Sequence, residues 1–294
     1  GTGPPPGGVG PVNGLVLSLF PGIGLLDIAF EEEGFCVVRG PDLLWGGDIR
    51  RFHPPAGKFD GVIGGPPCQS FSPLIHLVRA NGYEPKHGNM IPDYERVVSE
   101  AAPTWFLMEN VTRAPEPAVS GYAVVSFRLN NAWLGEAQVR LRRFSFGLRG
   151  PAACDLRRWI QLAALELPEC ASPVLGEGFG MRPGQRRDRE KVQTQAVTGD
   201  PRAVPVAIGG SGKHKTRAVR GKNDNNAQPW EIANGRAPAY KRSWAECCEL
   251  QGVPADFLAG APFTVAGKAL VLGNGVPLPM GRAIAKAVKK ASGQ

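Results

Sequence analysis

Cys68, Glu109, Arg140 and Arg142 are the side chains whose types and surroundings could carry chemistry. Cys68 closes an apolar run in "DGVIGGPPCQSFSP", where a strand ends in Gly64-Gly65-Pro66-Pro67 and then presents a thiol. Glu109 stands at the end of a second apolar run, "TWFLMENV". Arg140 and Arg142 alternate with Val139 and Leu141, so an extended chain sends both guanidinium groups to one face. A thiolate, a carboxyl and fixed cations are the parts of covalent catalysis. A lone cysteine in a turn also reads as a purely structural residue. A cysteine hydrolase needs a histidine base, and none of His53, His76, His87 or His214 stands in a matching context.

The elements that must position these groups are legible in outline. "LVLSLF" is an apolar strand that breaks at Pro21-Gly22 and resumes with helical spacing through Leu25, Leu26 and Phe30. Strand, glycine turn and helix make a βα unit, where the main chain can approach a ligand closely. "FCVVRGPD", "FDGVIGG", "TWFLMENV", "YAVVSFRLN" and "RRFSFGL" read as further strands, and "DYERVVSEAA" as a helix. The alternation predicts an α/β fold with a doubly wound, mostly parallel sheet. In such a sheet ligands gather beyond the carboxyl ends of the strands. If the strands before Cys68 and Glu109 are neighbours, about 5 Å apart, thiol and carboxyl face one crevice. The glycine turn borders the same crevice.

From about residue 149 the periodicity fades into short pieces broken by Gly and Pro. Order returns at "SWAECCELQGVPADF", where Ser243 and Glu246 have capping-box spacing. It continues in "GNGVPLPMGRAIAKAVKKA", a helix with Ile284, Ala287 and Val288 on one face. The expected organisation is a discontinuous domain, 12–148 and 239–294, interrupted by a smaller irregular domain, 149–238. The opening "GTGPPPGGVGPVNG" has no basic start and no apolar stretch, and residues 1–11 read as a flexible lead.

Charge sharpens this division. The chain of 294 residues carries 34 Lys/Arg, 26 Asp/Glu and a net charge of +8. Residues 182–222 hold eleven of the basic residues and three of the acidic ones, which leaves 23 of each elsewhere. A basic segment on a neutral body points to a polyanionic partner, nucleic acid first. Gly, Pro or charge interrupts every apolar run before it reaches membrane-spanning length, so no membrane partner is expected. The six cysteines (36, 68, 154, 170, 247, 248) contain no CxxC pair. They read as reduced thiols in a cytosolic compartment, and no metal site is expected.

With these residues in view, the sequence resembles the cytosine-C5 DNA methyltransferases of the phage and bacterial type. "LFPGIG" is similar to their cofactor turn, "GGPPCQSFS" to their nucleophile loop and "MENV" to their glutamate motif. "QVRLRRF" resembles their Q-x-R-x-R stretch and "GNGVPLPMGRAIAKAV" their last motif, all in the family's order. The interval before the last motif is then the target-recognition region. The fit has departures. Ser18 occupies a position where the family usually has Asp. The ribose-binding acid after the second strand is out of register, with Asp42 nearest. "RAPAYKRSWAECCELQG" matches the penultimate motif only loosely.

The resemblance implies S-adenosylmethionine as methyl donor. Phe20, Pro21, Gly22, Ile23, Gly24 and Leu25 would hold it, with Asp42, Asp48, Ile49, Pro67, Met90 and Asn274 around it. Asp48 reads alternatively as the cap of the short helix that follows. Double-stranded DNA is the implied partner, bound by a monomer in the cytoplasm of a bacterium or phage-infected cell. Lys213, Lys215, Arg217 and Arg220 would meet phosphates, and Gln69 and Ser72 belong to a loop that closes on DNA. Cys68 would add to C6 of a flipped cytosine, activating C5. Protonated Glu109 would act at N3 and Arg142 at O2, while Arg140 braces Glu109 or the loop. A tRNA cytosine methyltransferase sharing this core and a catalytically silent DNA-binding relative are the alternatives. The recognition sequence, and whether a restriction enzyme accompanies the chain, are not encoded legibly.

Overall fold

The structure, a computed structural model, describes residues 14–67, 71, 88–134, 136, 138, 140–160 and 243–293. Six strands form one sheet: β1 (Leu15–Leu19), β2 (Cys36–Arg39), β3 (Gly61–Gly64), β4 (Trp105–Asn110), β5 (Tyr122–Asn130) and β6 (Leu141–Arg149). Their spatial order is β2-β1-β3-β4-β6-β5. The first four are mutually parallel, and β6 runs antiparallel between β4 and β5. The expected mostly parallel sheet is therefore present, with β6 as the reversed strand.

Helices cover both faces. On one lie α1 (Leu25–Glu32) and α5 (Leu278–Ser292), on the other α2 (Ile91–Ala101). Helices α3 (Trp244–Gln251) and α4 (Val265–Asn274) join the α1/α5 side. The α2 core gathers Leu17, Leu19, Val62, Phe106 and Met108, and the α1/α5 core gathers Val16, Ile63, Trp105 and Leu107. Neighbours along one strand thus enter opposite cores, as a period of two requires. Strands buried on both faces read as continuous apolar runs, which is why the sequence pattern located β1, β3 and β4.

The helices follow from local chemistry. Helix α2 opens with Pro92 in its first turn, where no intrahelical N–H bond is lost, and Asn89 Oδ1 accepts from Ile91 N at 3.0 Å. Ile91, Tyr94, Val97, Val98 and Ala101 make its buried face. Helix α3 has the capping box expected of Ser243 and Glu246. In α5, Ile284, Ala287 and Val288 are wholly buried, as their spacing predicts, and Lys289 and Lys290 lie in the last turn, where cations suit the helix dipole. Gly281 lets α5 lie close to α1, since a Cβ there would fall 2.9 Å from that of Ala29.

Candidate active site

The carboxyl end of β4 carries the candidate acid. Glu109 lies opposite Phe144 of β6, so its side chain and that of Arg142 rise on the same face. Arg142 Nε stands 2.9 Å from Glu109 Oε1, with only 11% and 12% of the two side chains exposed. Burial pushes the Glu109 carboxyl above its ordinary value of 4.5, against the opposing pull of Arg142 and then Arg140. The desolvation cost of the charged form outweighs the ion pair here, so the acid form is favoured beyond the usual carboxyl range.

Arg140 is also buried. Its Nη2 donates to the Gly275 carbonyl at 3.0 Å, tying the start of β6 to the turn before α5. Its charge acts on Glu109, while this hydrogen bond goes to the turn beside Asn274. Asn274 itself is exposed at the end of α4.

The segment that leads from β3 toward Cys68 starts against the Glu109 carboxyl. Strands β3 and β4 pair directly, as the shared-crevice expectation required. A Cβ on Gly65 would fall 3.1 Å from Glu109 Oε2, so this glycine brings the chain across the carboxyl. The chain then continues through Pro66 and Pro67 toward Cys68. Cys68, Gln69 and Ser72 lie outside the described residues, as do Lys213, Lys215, Arg217 and Arg220.

The glycine turn leaves β1, the other neighbour of β3. Phe20, Gly22 and Gly24 all have positive φ (55°, 57° and 80°), which coils the main chain tightly before α1. Asp42 does not stand free beside this turn. Its Oδ2 accepts from Gly22 N at 2.8 Å and its Oδ1 from Leu44 N at 2.7 Å. Trp45 Nε1 donates to Gly22 O at 2.7 Å. Asp48 caps the single turn Ile49–Arg51 by accepting from Arg50 N, and pairs with the Arg50 side chain at 2.7 Å. Ile49 and Met90 are buried in the α2-side core, with Phe20 packed against it.

Asp27 carries no signal in its sequence context. It is completely buried in the first turn of α1, where Ser18 Oγ donates to its Oδ1 at 2.5 Å and Arg39 Nε to its Oδ2 at 3.0 Å. Desolvation raises its pKa, against the Ser18 hydrogen bond and the Arg39 charge. Ser18 is thus hydrogen-bonded to an acid nine residues along the chain. Arg96 is a second such residue. It donates to Ile49 O at 2.7 Å and Phe52 O at 3.0 Å, holding the segment that contains Asp48 and Ile49. Its i,i+4 spacing to Glu100 is visible in the sequence; its carbonyl partners, 47 and 44 residues away, are not.

Gly24 is the glycine that the turn can least replace. Its φ of 80° is left-handed, and a Cβ would fall 2.7 Å from Arg39 Nη2. Gly24→Ala should therefore lower the unfolding free energy by about 1–2 kcal/mol from backbone strain alone. Urea melts of the two proteins measure this; an unchanged midpoint and slope contradict it.

Among the described residues no group of three or more His, Cys, Asp and Glu side chains could hold a metal ion, and no helix is long and apolar enough to cross a membrane. Comparison with known proteins places this geometry in context. The family profile described as C-5 cytosine-specific DNA methylase matches residues 46–290. Type II methyltransferase M.FnuDI of Fusobacterium nucleatum is 27% identical, over 94% of this chain and 94% of its own. Type II methyltransferase M.MthTI of Methanothermobacter thermautotrophicus is also 27% identical, over 94% and 97%. Among solved structures, the S. pombe Dnmt2 methyltransferase superimposes with a TM-score of 0.56 at 14% identity, covering 94% of this chain and 97% of that one.

Proposed function

The chain belongs to the C-5 cytosine-specific DNA methylase family and is a DNA cytosine-C5 methyltransferase; from that premise we propose that it takes its methyl group from S-adenosylmethionine and acts through a covalent adduct between Cys68 and C6 of a cytosine flipped out of duplex DNA. The observation that carries the mechanism is the buried Glu109–Arg142 pair, with burial raising the Glu109 carboxyl above its ordinary pKa, beside Gly65 at the start of the segment that leads to Cys68.

The turn from Phe20 to Leu25 suits the methyl donor. A Cβ at Gly22 would meet nothing within 4 Å, so the main chain is open to close approach. Asp42, Asp48, Ile49, Pro67, Met90 and Asn274 complete the candidate contacts. Asp42 holds the turn through Gly22 N, and each of its oxygens keeps a lone pair for a ribose hydroxyl. When bound, S-adenosylmethionine supplies an electrophilic methyl group.

C5 of cytosine is a poor nucleophile until C6 is attacked. The Cys68 thiolate adds to C6, and negative charge moves onto the N3 and O2 side of the ring. Glu109, in its acid form, donates to N3, and Arg142 offers O2 a fixed positive partner. Arg142 is already oriented by Glu109, so little reorganisation is needed when the base arrives. Arg140 holds the Gly275 carbonyl, and its charge acts on Glu109.

Incubation with labelled methyl donor and either duplex DNA or tRNA tests the reading. Label on DNA, mapped to cytosine C5 by bisulfite sequencing, is expected; label on tRNA alone would sink it.

The basic segment supplies the attraction to duplex DNA in this proposal. The rest of the chain balances at 23 basic and 23 acidic residues, so residues 182–222 hold the whole excess. Each phosphate that the protein ceases to neutralise should flatten the slope of log K against log salt by about 0.9. Replacing Lys213, Lys215, Arg217 and Arg220 together by Ala should weaken binding to every sequence and reduce that slope, with binding of the methyl donor retained. A variant with the original slope assigns the segment to a solvated surface turned away from DNA.

A further inference from the structure

Strands β5 and β6 set two arginines directly against each other. Arg128 is the register partner of Arg143, so both side chains leave one face of the sheet from positions about 5 Å apart. Like charges placed in this way destabilise a strand pair. Arg128 is exposed and Arg143 half-buried. Arg143 Nη1 donates to Ala114 O at 2.5 Å and its Nη2 to Thr112 O, which fixes the guanidinium against the segment after β4. Those two carbonyls flank Arg113, whose side chain is exposed. One corner of the sheet, beside the strand end that carries Glu109, thus holds three arginines.

No carboxylate neutralises them. Arg39, Arg50, Arg96, Arg157 and Arg282 each have an acidic partner. Among the described residues, Arg113, Arg128 and Arg143 have none. Glu109 is taken by Arg142 on the opposite face, and the exposed Glu116, three residues past Arg113, forms no ion pair with them. Outside residues 182–222 the chain balances at 23 basic and 23 acidic residues, so this corner is a local excess on a neutral body.

Resting on the functional reading above, we propose that Arg113, Arg128 and Arg143 form a seat for one backbone phosphate of the bound DNA, separate from the basic segment. A planar guanidinium matches phosphate oxygens, and Arg143 keeps three of its five N–H donors beyond the two carbonyl bonds. A contact of this kind carries no sequence information. It fixes where the duplex stands relative to the strand end that bears Glu109. The like-charge pair is then a local cost in stability kept for binding.

Fluorescence anisotropy over a range of salt concentrations tests the seat, using a duplex that bisulfite sequencing shows to be methylated by the wild-type enzyme. The exposed pair is replaced, Arg113→Gln with Arg128→Gln, because Arg143 also supports the main chain. The slope of log K against log salt should flatten by about 0.9, one phosphate's share, and binding should weaken about 8-fold at about 0.1 M salt relative to its change at about 1 M. Affinity for S-adenosylmethionine should hold. Arg149→Gln removes an exposed cation from the other end of β6 and should leave the slope as it is. Arg128→Gln alone should keep or raise the thermal midpoint of the DNA-free protein, since it relieves the charge opposite Arg143. Equal flattening by Arg149→Gln overturns the seat, because overall charge is then responsible. A double variant with the wild-type slope and affinity overturns it too, while DNA methylation by wild type leaves the functional reading standing. Wild-type enzyme that methylates no DNA overturns that reading, and this inference with it.

Discussion

Replacing Cys68 by Ser should abolish methyl transfer while leaving the fold unchanged. The two side chains are close in shape, but a thiol with an ordinary pKa near 8.5 furnishes thiolate at neutral pH and a serine hydroxyl does not ionise there. No substitute base is in view, since no histidine stands in a matching sequence context. The loss should therefore be complete rather than graded. The same variant should fail to form a denaturant-resistant adduct with duplex DNA carrying 5-fluorocytosine, an adduct that the wild-type enzyme should form if Cys68 attacks C6. Its thermal midpoint should match that of wild type. An adduct that survives in the Cys68→Ser protein would mean that another nucleophile is at work.

Glu109→Gln should be the next largest effect, a fall in turnover of roughly 100-fold or more. Glutamine keeps the shape and can still accept from Arg142, yet it cannot pass a proton to N3. Affinity for the methyl donor should change little, because the glycine turn lies two strands away on β1. An unchanged rate would remove Glu109 from the mechanism. The raised pKa adds a second signature. Activity that depends on the acid form falls as pH rises through the elevated value, and the Gln variant loses that limb. Stability follows the same sign. Between 4.5 and the raised native value the folded state binds more protons at this site than the unfolded state, so the site's contribution declines as pH rises. Above that range the buried carboxylate is a net cost, and Glu109→Gln should be at least as stable as wild type in denaturant melts.

Much of the architecture is legible because it is written locally. The apolar runs of β1, β3 and β4, the spacing of Ile284, Ala287 and Val288, and the Ser243–Glu246 capping box each follow from residues within one element. Period and capping are short-range rules, so a single sequence displays them. The nature of the chemistry is equally local. A cysteine after Gly-Gly-Pro-Pro, a glutamate at a strand end and two arginines spaced by two can be read as a set, together with a basic segment carrying all the excess charge.

Partners are not legible, because sheet order and register decide them. Glu109 meets Arg142 only because β6 turns back antiparallel beside β4, and a register slipped by one residue would send either side chain to the opposite face. Asp27 accepts a hydrogen bond from Ser18 because α1 folds back over β1. Asp42 reaches the Gly22 amide because the chain after β2 returns to the glycine turn. Arg140 was expected to brace Glu109 or the loop, and its guanidinium is hydrogen-bonded to Gly275, 135 residues away in the chain. Asn110 carries no signal beyond its neighbour's motif, yet it grips Pro66 from the far face of the sheet. The sequence by itself determined which groups are available and which elements carry them. Only the tertiary structure decided which groups touch, since burial and hydrogen bonding between distant residues exist only once the strands are ordered. The raised pKa of Glu109 belongs to that second class, because desolvation is a property of the assembled site.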